Sequence, residues 1–294
     1  MLNFSDVEVQ KTVEYWTPER KQNAVPLTPP KYKFNEIDDK SVRNYLDEAA
    51  QIIIPSNTSN ANPTTIIYGT PFKADVTQFP YHVGGKFFLT KVKTDGTTED
   101  RVGSAQFVGH CSILLTAAHC VRDSVTGNYY TNLLFSRGYN DGNNDDFPIS
   151  RVSTLDKYVG STESARRSYD YAFAFTNRPF NDWIGLQVGN PHNAFRAIGY
   201  PSNYEKGEKM YAVDGTKGTV QDNVVEMIGN PFAPGASGGA WIAKFSTERD
   251  GLMNLAVGLN GGYALDGSEK WYSPLFLNRE TIDLFYQVMN RERC

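Results

Sequence analysis

Gly235-Ala236-Ser237-Gly238-Gly239 is the stretch on which the reading of this 294-residue chain turns. Glycine two before a serine, and one and two after it, frees the backbone for a tight turn and lets another chain come close. Such a turn can lift a hydroxyl clear of its own backbone and aim neighbouring N–H groups at one point beside it. That is the geometry a nucleophilic serine requires. A Gly-rich hairpin turn would look the same in sequence, so the decision rests on what surrounds it.

Two other stretches carry chemistry. Thr116-Ala117-Ala118-His119-Cys120 follows the apolar run Ile113-Leu114-Leu115 and places a histidine where that strand ends. Tyr169-Asp170-Tyr171-Ala172-Phe173-Ala174-Phe175 sets an aspartate at the head of a second apolar strand. An acid there is either a solvated strand-end residue or the buried partner of a histidine, since Asp is rarely buried unpaired.

From about residue 78 the chain consists of short β-rich runs broken by turn residues. A first group comprises 81–91, 104–108, 112–116, 129–136 and 170–175. A second comprises 186–188, 195–200, 209–213, 217–221, 224–228, 239–245 and 254–259. Many short strands at even spacing predict an all-β molecule, and two groups predict two six-stranded antiparallel barrels. Barrel one would cover about 78–178 and barrel two about 182–276. The apolar positions Ile282, Leu284, Phe285, Val288 and Met289 predict a C-terminal helix over 279–293. Residues 1–75 differ in texture and read as an N-terminal extension to a domain at 76–294. A short helix starts at Thr17 in an otherwise irregular arm, a helix candidate spans 36–53 with Ser41 as its cap, and 55–63 is a linker by composition.

Composition excludes several classes. Net charge is −4, from 33 acidic and 29 basic residues with no polybasic run, so nucleic acid is not an implied partner. No apolar run approaches the ~20 residues of a membrane helix, and no membrane partner is expected. Met1–Gln10 lacks the apolar core of a signal peptide. The three cysteines, Cys111, Cys120 and Cys294, are too few and too uneven for a disulfide framework. A Cys111–Cys120 bond or a shared zinc is disfavoured, because an extended 112–116 would hold them about 16 Å apart. Asp141-Gly142-Asn143-Asn144-Asp145 has oxygens at alternate positions but lacks the glycine and glutamate of a calcium loop; a solvated turn fits better. No metal and no cofactor is expected.

The order His119, Asp170, Ser237 resembles that of the chymotrypsin-like serine proteases. Thr-Ala-Ala-His-Cys is close to a signature of that family, and Gly-x-Ser-Gly-Gly is its nucleophile turn. Ile198-Gly199-Tyr200-Pro201 and the glycine pair at 261–262 are similar to the bacterial glutamyl-endopeptidase branch. Trp16-Thr17-Pro18-Glu19-Arg20 is similar to a pro-segment of that branch. The resemblance, over about residues 78–290, implies a serine endopeptidase acting on a protein or peptide substrate. Ser237 would be the nucleophile, His119 the base, Asp170 its orienting acid, and the N–H groups of Gly235 and Ser237 the oxyanion hole. Hydrolysis would rise with pH through about 6.5 to 7. Pro231, Phe232, Leu259, Asn260 and Gly261 would form the substrate pocket. Pro231 stands where Lys/Arg-specific members carry an acid, and Leu259 near where glutamate-specific members carry a histidine. An apolar or uncharged residue is therefore expected in the pocket.

Other departures bear on regulation. The residue before the serine is Ala236, not the aspartate that binds a newly cut N-terminus in the animal enzymes. The family's usual partner for Cys120 would fall near Val102 or Gly103, leaving Cys120 unpaired. Unpaired thiols and the missing signal favour the cytoplasm, whereas the resemblance favours secretion. Residues 1–75 could inhibit the enzyme or dock a regulator. Two alternatives stand beside this reading: a silent protease-like domain kept for binding or scaffolding, and an α/β-hydrolase esterase. The esterase is the weaker, since that fold places its histidine after the serine, whereas His82, His110, His119 and His192 all precede Ser237.

Overall fold

The computed structural model describes residues 1–32, 52–54, 69–93, 95–160, 162–248, 252–264, 266–289 and 294. The chain begins with β1 (Leu2–Asn3), α1 (Asp6–Tyr15), α2 (Pro18–Asn23), β2 (Val25–Pro26) and β3 (Lys31–Tyr32). Ser5 and Glu8 close a capping box at the start of α1. Thr17 caps α2 ahead of Pro18, whose missing N–H is no loss at that position. Helix α2 stands where a helix was expected from Thr17, whereas α1 falls in the part of the arm expected to be irregular. That helix shows little apolar periodicity because only Thr12 on it is buried, while Trp16 just beyond it goes into the core.

Two short strands follow, β4 (Ile52–Ile54) and β5 (Phe72–Lys73). Most of the helix candidate 36–53, and the linker 55–63, lie outside the described residues. The end of that candidate is strand.

The first barrel consists of β6 (Gly84–Val92), β7 (Thr98–Phe107), β8 (Ile113–Thr116), β9 (Thr131–Asn140), β10 (Asn143–Thr154) and β11 (Ala172–Thr176). They pair in the closed order β6-β7-β8-β11-β10-β9, with β9 and β10 completing the ring. Phe107 is the hub of the core inside it, edge-on to Phe135 and Phe147 at 5.4 and 5.2 Å between ring centroids. Each such buried ring contributes about 2–3 kcal/mol by leaving water. The oxygen-rich stretch 141–145 begins at the exposed turn of the β9–β10 hairpin, in keeping with the solvated turn expected there. Asp141 and Gly142 both have positive φ, 49° and 84°, as the two-residue turn that matches strand twist demands. Its acids face cations, Asp141 meeting Lys209 and Asp145 meeting Arg178.

A short helix, α3 (Glu163–Ser168), precedes β11. The second sheet is built from β12 (Gly185–Val188), β13 (Ala194–Gly199), β14 (Tyr211–Gln221), β15 (Val224–Ile228), β16 (Ala240–Ala243), β17 (Leu255–Leu259), β18 (Gly262–Ala264) and β19 (Lys270–Pro274). Its hydrogen-bonded order runs β18-β19-β15-β14-β13-β16-β17-β12. The sheet curls until β17 meets β19, where the Leu259 N–H donates to Ser273 Oγ at 2.9 Å. Trp241 and Trp271 fill this second core.

The C-terminal helix α4 (Asn278–Met289) packs Phe285 edge-on to Phe173, 5.4 Å between centroids. Residue 294 returns to the first barrel, where Cys294 is disulfide-bonded to Cys111. This corrects the expectation of unpaired cysteines, because spacing in sequence gives no hint that the C-terminus comes back to residue 111. Only Cys120 is free, and it is buried. Two of the three thiols expected to be free are therefore paired.

Candidate active site

β8 is buried along its whole length and ends at Thr116. A single 3-10 turn, Ala118–Cys120, then carries His119. β11 lies antiparallel to β8 with Ala172 opposite Thr116, and this register brings the residues before β11 alongside the turn. Asp170 is 1% exposed. One carboxylate oxygen accepts the His119 backbone N–H at 2.9 Å, and the other lies 2.8 Å from Nδ1 of the ring. The aspartate at the strand head is thus the buried partner of a histidine.

Burial by itself disfavours the imidazolium. The charge of Asp170, the Cys120 sulfur and the Asp170 hydrogen bond outweigh it and hold His119 well above the ordinary histidine value.

Ser237 comes from the other sheet, in the turn before β16. Gly235 and Gly238 take φ of +101° and +86°, which disfavours any side chain there. A Cβ on Gly238 would also stand 2.3 Å from both Ser104 O and Thr116 Oγ1. The turn is held from both sides. From β7, the Ser104 N–H donates to Ser237 O at 2.7 Å and Ser104 Oγ to Gly235 O at 2.9 Å. Gln106 Nε2 donates to Gly238 O at 3.2 Å, while its Oε1 accepts the Ala240 N–H at 2.8 Å. From just beyond β17, Asn260 Nδ2 donates to Ile198 O and Ala236 O at 3.0 and 3.1 Å, and its Oδ1 accepts the Trp241 Nε1–H at 2.9 Å. Ser104 and Gln106 have no sequence motif. They lie on an ordinary alternating strand, and only the meeting of the two sheets gives them this work.

The two halves meet at Cys120, whose Sγ lies 3.8 Å from Ser237 O. His119 Nε2 and Ser237 Oγ are buried there without a hydrogen-bond partner among the described residues. The backbone N–H groups of Gly235 and Ser237 likewise have no acceptor among them. The His119 ring nitrogen, the Ser237 hydroxyl and these two backbone N–H groups are thus without hydrogen-bond partners among the described residues.

The expected pocket residues divide. Pro231 and Phe232 line a cavity of about 510 Å³ with Asn230, Tyr204 and Trp271. Leu259, Asn260 and Gly261 do not line it. They are buried, and Asn260 serves the turn instead. The grouping His110, Cys111 and Cys294 brings three ligand atoms within 4.8 Å, but its two sulfurs are bonded to each other.

No family model and no curated protein matches the sequence. Solved structures do resemble it. The protease Anisep from Arthrobacter nicotinovorans is 22% identical with a TM-score of 0.58, covering 70% of this chain and 94% of its own. The thermostable serine protease AL20 from an extremophilic microorganism is 20% identical with a TM-score of 0.59, covering 71% of this chain and 98% of its own. A Glu endopeptidase is 15% identical with a TM-score of 0.56, covering 77% of this chain and 100% of its own. The fold is chymotrypsin-like. Within it, His119 and Asp170 belong to the first barrel and Ser237 to the second sheet.

Proposed function

We propose that the chain is a serine endopeptidase. Ser237 Oγ adds to the scissile carbonyl while its proton passes to His119 Nε2. The oxygen that takes up the charge is received by the N–H groups of Gly235 and Ser237, one such donor being worth about 3 kcal/mol. Collapse expels the amine, which takes its proton from His119, and leaves an ester on Ser237. Water then adds to the ester with His119 as base, and the acid leaves. Asp170 fixes the ring with its proton on Nδ1 and stabilises the imidazolium. The observation that supports this reading is that Nε2, Oγ and the two N–H donors lack partners among the described residues, while Cys120, next to His119, lies 3.8 Å from Ser237 O. Pro231 and Phe232 carry no charge, which supports an apolar or uncharged side chain in the substrate pocket.

A fluorophosphonate probe tests the chemistry. Labelling that disappears in Ser237→Ala supports the enzyme. No labelling of folded protein, with the site made accessible, favours a binding module on the same fold. One observation favours that second reading: Ser237 is 0% exposed.

A further inference from the structure

A second cavity, of about 210 Å³, lies where α3 meets the 3-10 turn Asp156–Tyr158. Arg166, Arg167, Ser124 and Tyr158 line it, and they carry two guanidinium groups and two hydroxyls. Two acids, Glu163 and Asp170, line it as well. Neither acid matches the cationic charge fully. Asp170 is committed to His119, one oxygen to the backbone N–H and the other to Nδ1. Glu163 accepts from Arg167 Nη2 at 2.6 Å, but its side chain is 65% exposed. An exposed pair four residues apart on a helix adds little, and salt screens it further. Arg166 has no ion pair among the described residues. Its side chain makes one hydrogen bond there, from Nη1 to the neutral Ser124 Oγ at 3.2 Å.

The chemistry of this donor set is that of an anion site. A guanidinium keeps its charge at every working pH, and its planar fork matches two oxygens of one group at once. Half-buried, Arg166 is withdrawn from the water that would otherwise screen it, which strengthens its pull on an anion. Burial holds the Tyr158 hydroxyl well above the ordinary tyrosine value, so it stays protonated and able to donate. The volume is below the ~300 Å³ at which sites for larger organic ligands begin, which limits the occupant to a small group.

We propose that this cavity binds a small free oxyanion of the phosphate class, held by Arg166 and by Arg167, which turns from Glu163 to share it. The Asp170 N–H donates to Arg167 O at 3.3 Å. An anion gripped by the two arginine side chains therefore also steadies the backbone that sets Asp170. Binding here requires no turnover at Ser237, so the site stands or falls apart from the peptidase reading.

The test is calorimetric titration of the full chain with inorganic phosphate, the ionic strength held constant with chloride. The native chain is expected to bind one phosphate with a dissociation constant of about 1 mM or tighter. Arg166→Gln removes the unmatched charge and should weaken binding about tenfold or more. Glu163→Gln removes the competitor for Arg167 and should tighten binding about threefold. A variant that merely disturbs the fold would not bind more tightly. No binding by the native chain up to about 10 mM, or native affinity in either variant, overturns the site. Should Arg166→Gln fail to fold, Glu163→Gln on the exposed side of α3 decides alone: tighter binding upholds the site, and any other result overturns it.

Discussion

The imidazole of His119 must be neutral before it can accept the Ser237 proton. Because Asp170 and Cys120 raise its pKa well above the ordinary histidine value, hydrolysis by the chain should rise with pH. Its midpoint should lie above the 6.5 to 7 that the sequence implied. A kcat/KM profile that is flat, or has its midpoint below 6.5, would exclude this base. The same shift fixes a stability trend. A histidine raised on folding contributes stability that is fully present below about 6.5 and lost as pH rises through the folded value. Urea midpoints measured for the native chain and for His119→Ala should therefore draw together at high pH. Asp170→Asn keeps the shape but offers the ring no anion. A loss of about 10⁴-fold in kcat with the fold intact by circular dichroism is the expected result.

At the scale of elements, the turn that carries Ser237 is held by side chains from both sheets. Asn260 satisfies two carbonyls and the Trp241 N–H at once. Asn260→Ala leaves these buried groups unpaired and should cost about 2–4 kcal/mol in a denaturant melt. It should lower kcat more than it raises KM, because the donors at 235 and 237 would lose their aim. Gly238→Ala places a methyl group against the Ser104 carbonyl at a φ of +86°. A loss of more than about 1 kcal/mol is expected, read by the same melt. The hairpin at 141–142 makes a related point. Its Asp-Gly pair is a strong local signal for a two-residue turn, and the solvated turn expected from its Asn and Asp residues is the tip of that hairpin.

At the scale of the molecule, the Cys111–Cys294 bond ties the end of the chain to the first barrel across 183 residues. Reduction, or Cys294→Ser, should lower stability by about 2–5 kcal/mol. Cys120, buried between the two sheets, should stay inert to thiol reagents until the protein unfolds.

Sequence alone determined the β-strand texture, the terminal helix and the three chemical stretches around His119, Asp170 and Ser237. Each depends on neighbours within a few residues: apolar alternation, a glycine-freed turn, an acid at the head of an apolar strand. Tertiary structure alone decided which groups meet. Ser104 and Gln106 are unremarkable polar residues on β7 until the second sheet's turn docks on them. Residues 25–32 read as an irregular arm until their two ends are seen pairing with different sheets on either side of the cleft. Local patterns encode the elements, whereas contacts between residues about a hundred or more positions apart arise only when both sheets have closed.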